Sequence, residues 1–146
     1  MRFDIWWIAR FLHVASAVVW VGAQLTLSLL VRPVLVQRFD QARRIEVSTA
    51  LGARFGRFSS FVLIPVLLAS GLALIYHRGV TFGLLGSAGY GTTLATKIVL
   101  ALVSFGLAIA HGMVAARSSA RAIRIIGIVG VVISLAVVAL ATSLVP

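Results

Sequence analysis

Four residues of this chain carry side chains suited to chemistry near neutral pH: His13, His77, His111 and Lys97. An imidazole can ligate a metal or move a proton, and a desolvated amine can bind an anion or act as a base. The sequence has no cysteine, which excludes disulfides, thiolate zinc sites and iron–sulfur clusters. What these four residues can do depends on the depth and face at which the chain holds them.

The positioning elements are apolar. Of the 146 residues, 61% are hydrophobic and 11% charged, with a mean hydropathy of +1.12. Soluble domains carry about 45–50% apolar and about 25% charged residues. Four stretches approach the ~20 residues of a spanning helix, over about residues 5–31, 58–76, 92–116 and 125–144. Uninterrupted apolar runs without period-two alternation exclude barrel strands. The expected fold is therefore all-α, a polytopic membrane four-helix bundle forming a single domain over residues 1–146. Ala15-Ser16-Ala17 imitates a signal-peptide cleavage site, but the apolar run continues through Val31, so the first segment is read as retained.

The formal charge of +10 has an explanation in topology. Arg32, Arg38, Arg43, Arg44, Arg54 and Arg57 lie between the first two helices, and Arg117, Arg121 and Arg124 between the last two. The positive-inside rule makes these loops cytoplasmic and puts both termini outside. Basic loops held at a membrane leave no surface for nucleic acid. The expected location is a bacterial cytoplasmic (inner) membrane, with the lipid bilayer as first partner. A homodimer or a membrane redox partner would cover the remaining helix surface.

Finer features follow. Gln37 to Leu51 reads either as a short interfacial helix or as an extension of the flanking helices. Pro33 is expected to close the first helix, and Pro65 to kink the second. The outer loop, with Gly79, Gly83, Gly86, Gly89 and Gly91, is expected to be irregular. Small residues at Ser70-Gly71, Gly106, Gly127 and Gly130 suit close helix packing.

Ionisable groups inside a membrane are costly and mark function by default. Counting ~1.5 Å per residue, His13 lies ~12 Å and Lys97 ~8 Å below the outer boundary, so the two can meet. His111 falls ~21 Å beyond Lys97, too deep to be the opposite ligand of an iron at His13 within one chain. Lys97, His77 (if tilted inward) or no sixth ligand at all remain open. Trp6, His13, Trp20 and Gln24 fall near one stripe of the first helix. Small Ala17 beside them leaves room for a flat macrocycle against which Trp20 can pack. Trp6 and Trp7 suit interfacial anchoring. Arg57 can anchor the second helix or pair with a carboxylate such as a haem propionate.

These residues resemble a family pattern. Leu12-His13, Trp20 and Gly22 resemble the L-H-x6-W-x-G opening shared by CopD-type copper-resistance proteins and HemJ-type protoporphyrinogen oxidases. Arg54-Phe55-Gly56-Arg57-Phe58 followed by Pro65 and Ser70-Gly71 looks like their second-helix pattern. Tyr90-Gly91 through Leu94 to Lys97 resembles the CopD-type Y-G-x-x-L-x-x-K motif. The resemblance covers most of the first three helices. It implies a four-helix bundle and, on the HemJ side, a bound haem b with His13 and Lys97 as key residues. The chain departs from the HemJ-type pattern at Thr93-Leu94-Ala95, where those proteins carry W-L-H, and in the later histidine, which falls nearer Ala108 in those proteins whereas this chain has His111 one turn on.

The leading expectation is a b-type haem protein with a redox or electron-transfer role, its iron held by His13, with His77 and His111 as further candidate metal ligands and Lys97, Trp20 and Arg57 as cofactor-binding residues. A HemJ-like oxidase of protoporphyrinogen and a CopD-like copper transport or resistance protein are the alternatives. Copper(I) prefers soft sulfur ligands, and Met113 is the only internal methionine.

Overall fold

The computed structural model describes residues 4–114 and 120–144. The side chains at 82 and 111–124 lie outside the described set, among them those of His111, Met113, Arg117, Arg121 and Arg124. Among the described residues the chain is helical, with no strand. Four helices are long and apolar enough to cross a membrane, which marks a membrane protein. They are α1 (Ile5–Arg38), α2 (Gln41–His77), α4 (Tyr90–Val114) and α5 (Ala120–Ser143), with a single-turn α3 (Phe82–Leu85) between α2 and α4.

The first two helices run well past their apolar segments. At 34 and 37 residues, they are ~51 and ~55 Å long, against a hydrocarbon core of about 30 Å. Each therefore projects roughly 20–25 Å beyond it. The segment Gln37–Leu51 is an extension of both helices, broken only at Phe39–Asp40. Asp40 makes that break sharp. Its backbone is extended and its carboxylate accepts from the Arg43 N–H at 2.9 Å, a cap of about 1 kcal/mol. Asp4 caps α1 the same way, accepting from the Trp7 N–H at 2.8 Å. Glu46 pairs with Arg43 at 3.0 Å. All three acids of the chain are thus committed to helix ends or to that surface pair.

Pro33 does not close α1. Ahead of both prolines the helix widens into a π-turn, over Leu27–Val31 and over Ser59–Leu63, and then continues. A proline ring clashes with the carbonyl four residues back and donates no hydrogen bond. The wider turn moves that carbonyl aside: the Arg32 and Ile64 N–H groups donate five residues back, to Leu27 and Ser59.

α2 ends at Gly79, whose φ of 62° requires glycine. The Gly-rich loop is more ordered than its composition implies. α3 lies against the start of α4, where any Cβ on Gly91 would overlap the Leu84 carbonyl. Arg78 reaches across the loop to donate to the Tyr90 hydroxyl at 3.1 Å.

α1 packs on the Ile64–His77 half of α2 and on α5, and α5 packs on α4. The Gln41–Phe58 half of α2 meets α4, whereas the other half of α2 has no extensive contact with α4. The α1–α2 seam is antiparallel. Trp6 meets His77, His13 meets Ser70, and Trp20 meets Leu63, each pair seven residues from the next. That spacing keeps one face of each helix on the seam, as in a coiled coil. Serines fill the tightest places: Ser16, Ser59, Ser70, Ser104 and Ser134 are all buried. Small hydroxyls permit the close approach on which membrane helix packing depends. Gly130 does so too, with Gln24 packed over it. Gly106 does not; it faces outward into open space.

Candidate functional site

His13 sits on the inward face of α1, with Trp6, Ser16, Trp20 and Gln24 on the same stripe. Its Nδ1 lies 3.2 Å from the Leu67 carbonyl oxygen and 3.1 Å from Ser70 Oγ. A carbonyl can only accept, so Nδ1 carries the proton. Ser70 spends its own proton on the Val66 carbonyl at 2.5 Å, so its Oγ also accepts from His13. In the neutral imidazole this leaves Nε2 with a lone pair. The ring rests against Gly71, where a Cβ would come 3.2 Å from its Cε1. Three sequence features thus build one seat: a helix carbonyl, a back-bonded serine and a missing side chain.

Lys97 lies on the inward stripe of α4 with Leu94, Ala101 and Ser104, and is half-buried. It is close enough to His13 for the two to interact electrostatically, and Arg78 acts on Lys97 in turn. Among the described residues Lys97 has no hydrogen-bond or ion-pair partner. The three acids cap helices or pair with Arg43. Among the described residues neither Lys97 nor Arg78 is in an ion pair, and Asp4, the one described acid at this end of the bundle, caps α1. An apolar groove of about 280 Å³ runs alongside, between Ile8 and Leu12 of α1 and Val66 and Ser70 of α2.

The other sequence candidates lie elsewhere. His77 is exposed and stacks on Trp6, ring centroids 3.9 Å apart and planes 13° apart. That places it two turns beyond His13 towards the Asp4 end, and the structure does not bring the two imidazoles together. Trp20 is buried, edge-on to Phe105 at 5.2 Å and 6.0 Å from Phe55. With Leu63 and Leu67 it forms an apolar layer one level below His13. Arg57 is exposed, thirteen residues along α2 from Ser70, hence ~20 Å away along the axis. It is not at the His13 seat. Among the described residues no three histidine, aspartate or glutamate side chains converge as a metal cage.

Beyond the Trp20 layer lies a second polar group. Ser134 donates to Gln24 Oε1 at 3.2 Å, so Ser104, 2.9 Å from Ser134, must donate to it. The chain ties α4, α5 and α1 together. Ser59 is also buried, and its Oγ has no partner among the described residues. Sequence reasoning did not single out Arg78, Ser134 or Ser59. The first has a readable signal, an arginine one loop away from a tyrosine; single serines on apolar helices have none.

No family model matches this chain, and neither comparison with curated proteins nor comparison with solved structures found a similar protein.

Proposed function

We propose that the chain is a b-type haem-binding protein of the bacterial inner membrane with a redox or electron-transfer role, its iron ligated by His13. The observation that carries this reading is the placement of His13 Nδ1 against the Leu67 carbonyl and Ser70 Oγ, which leaves Nε2 for a ligand. A ligating histidine almost always donates its other nitrogen to a carbonyl or carboxylate, which sets the ring and raises its basicity. His13 meets that condition through Leu67 and Ser70 inside an apolar bundle.

The donor chemistry fits haem better than a bare ion. One imidazole with a free nitrogen suffices for a macrocycle that brings four nitrogens of its own, whereas a protein-only metal site needs several ligands. Lys97 and Arg78 supply the unpaired positive charge that two propionates require. The Ile64–His77 half of α2 has no extensive contact with α4 on the Lys97 side of the seat. When bound, haem supplies an iron that gains and loses one electron. The chain's residues hold it: His13 ligates, Lys97 and Arg78 bind carboxylates, and the Trp20 layer keeps water of the far side away. The arginine distribution supports the orientation, with both termini outside and the arginine-rich hairpin in the cytoplasm. The motif resemblance to the CopD and HemJ families supports the same residues.

The test is an absorption spectrum of the protein purified in detergent from cells supplied with haem precursor, oxidised and reduced. A Soret band with reduced α and β bands is expected, lost in His13→Ala. A colourless wild-type protein refutes the proposal.

A further inference from the structure

A second groove lies between α1 and the arginine-rich half of α2, on the far side of the Trp20 layer from His13. It measures about 330 Å³ and is lined by Ala23, Thr26, Leu27, Leu51, Arg54 and Phe55. We infer that this groove is a binding site for an anionic phospholipid, the top of the acyl chain meeting Ala23, the glycerol region lying against Leu27 and Phe55, and the phosphate held by Arg54.

Depth places the groove at a headgroup. Counted from Ile5, Ala23 lies ~27 Å and Leu27 ~33 Å along α1, while Arg54 lies ~34 Å from His77 along α2. A hydrocarbon core of about 30 Å therefore ends within the groove, between Ala23 in the acyl region and Leu27, Phe55 and Arg54 at headgroup level. Charge decides the class of lipid. Residues 32–57 carry six arginines and only Asp40 and Glu46 as acids. Asp40 caps α2, and Glu46 is taken by Arg43. Among the described residues Arg54 and its neighbour one turn on, Arg57, have no acidic partner. A net-negative headgroup neutralises them; the ammonium of a zwitterionic lipid would be repelled. Guanidinium–phosphate hydrogen bonds are charge-assisted and directional.

Thr26 adds a hydroxyl. Thr96 and Thr142 bond back to their own helices at 2.8 and 2.7 Å. Thr26, at the mouth of the π-turn, has no such bond among the described residues and is exposed. It can donate to a phosphate oxygen. This inference is independent of haem, because it uses none of the residues of the His13 seat.

The experiment is native mass spectrometry of the full chain released from detergent, titrated with phosphatidylglycerol and, separately, with phosphatidylcholine. Wild type is expected to retain one phosphatidylglycerol at least tenfold more tightly than phosphatidylcholine. Arg54→Gln should lose about tenfold or more, the scale of a hydrogen bond to a charged group. Arg44→Gln, an arginine outside the groove, should bind as wild type does. Leu27→Trp, which fills the groove, should release the lipid while leaving the helical circular dichroism unchanged. Equal losses from Arg54→Gln and Arg44→Gln would mean diffuse charge attraction and overturn the site. So would equal retention of the two lipids, or undiminished binding by Leu27→Trp.

Discussion

Gly71 tests the His13 seat most directly, because the structure gives both the contact and its cost. A Cβ there would lie 3.2 Å from His13 Cε1 and 3.5 Å from Nδ1, too close by a few tenths of an ångström. Two hydrogen bonds from Nδ1 resist the ring's retreat. Alanine in place of a helical glycine gains about 0.5–1 kcal/mol, and loss of one of those bonds costs about 0.5–1.5 kcal/mol. Gly71→Ala should therefore leave stability within about 1 kcal/mol of wild type while displacing the imidazole. Gly71→Leu cannot be accommodated so cheaply; overpacking of this kind costs about 1–3 kcal/mol. Gly22→Ala is the control, since nothing lies within 4 Å of its new Cβ. The assay is haem content per chain and the position of the reduced bands, read beside thermal unfolding in one detergent. Haem content should fall from wild type to Gly71→Ala to Gly71→Leu, with Gly22→Ala unchanged. A Gly71→Leu protein that is folded and carries full haem with a wild-type spectrum would show that His13 is not held on Gly71 while ligating, and the seat would be wrong.

Other predictions address separate parts of the molecule. Lys97→Met should lower haem retention during dilution while the reduced spectrum keeps its His13 signature; a loss of signature would instead make Lys97 an iron ligand. Ser134→Ala leaves Gln24 Oε1 without its donor and should cost about 0.6–1.7 kcal/mol by thermal unfolding, the range of interhelical bonds in membranes. Ser59→Ala removes a buried hydroxyl that has no partner among the described residues, so the same measurement should find stability unchanged or raised. Trp20→Ala opens the centre of the apolar layer and should cost about 3–5 kcal/mol.

The helices were legible because a spanning segment announces itself by length and apolarity. Their ends were not. The first and second helices outrun their apolar segments because Asp40, a single capping residue, leaves only two residues between them. Pro33 reads as a terminator and Pro65 as a kink, but a π-turn ahead of each lets the helix continue where packing holds it on both sides. For the site, depth counting placed His13 and Lys97 at neighbouring levels, and the structure has them in electrostatic reach. What counting could not supply was register. His77 looked able to tilt inward, yet the seven-residue seam that sets His13 against Ser70 necessarily sets His77 against Trp6. Arg57 stands apart from that seat by depth, ~20 Å along α2 from Ser70.

Register also bears on the haem proposal. Along the seam the polar groups fall into two levels: His13, Ser70 and Lys97 on one side, and Gln24, Ser104 and Ser134 on the other. Between them stand Trp20, Leu63, Leu67, Phe55 and Phe105, packed ring against ring. A copper ion crossing the bundle must exchange ligands at every level, and this layer offers no sulfur, imidazole or carboxylate among the described residues. An electron needs no such ladder, because it tunnels through packed side chains. On the proposed reading the Trp20 layer closes one side of the His13 seat, and the redox group stays resident on the other.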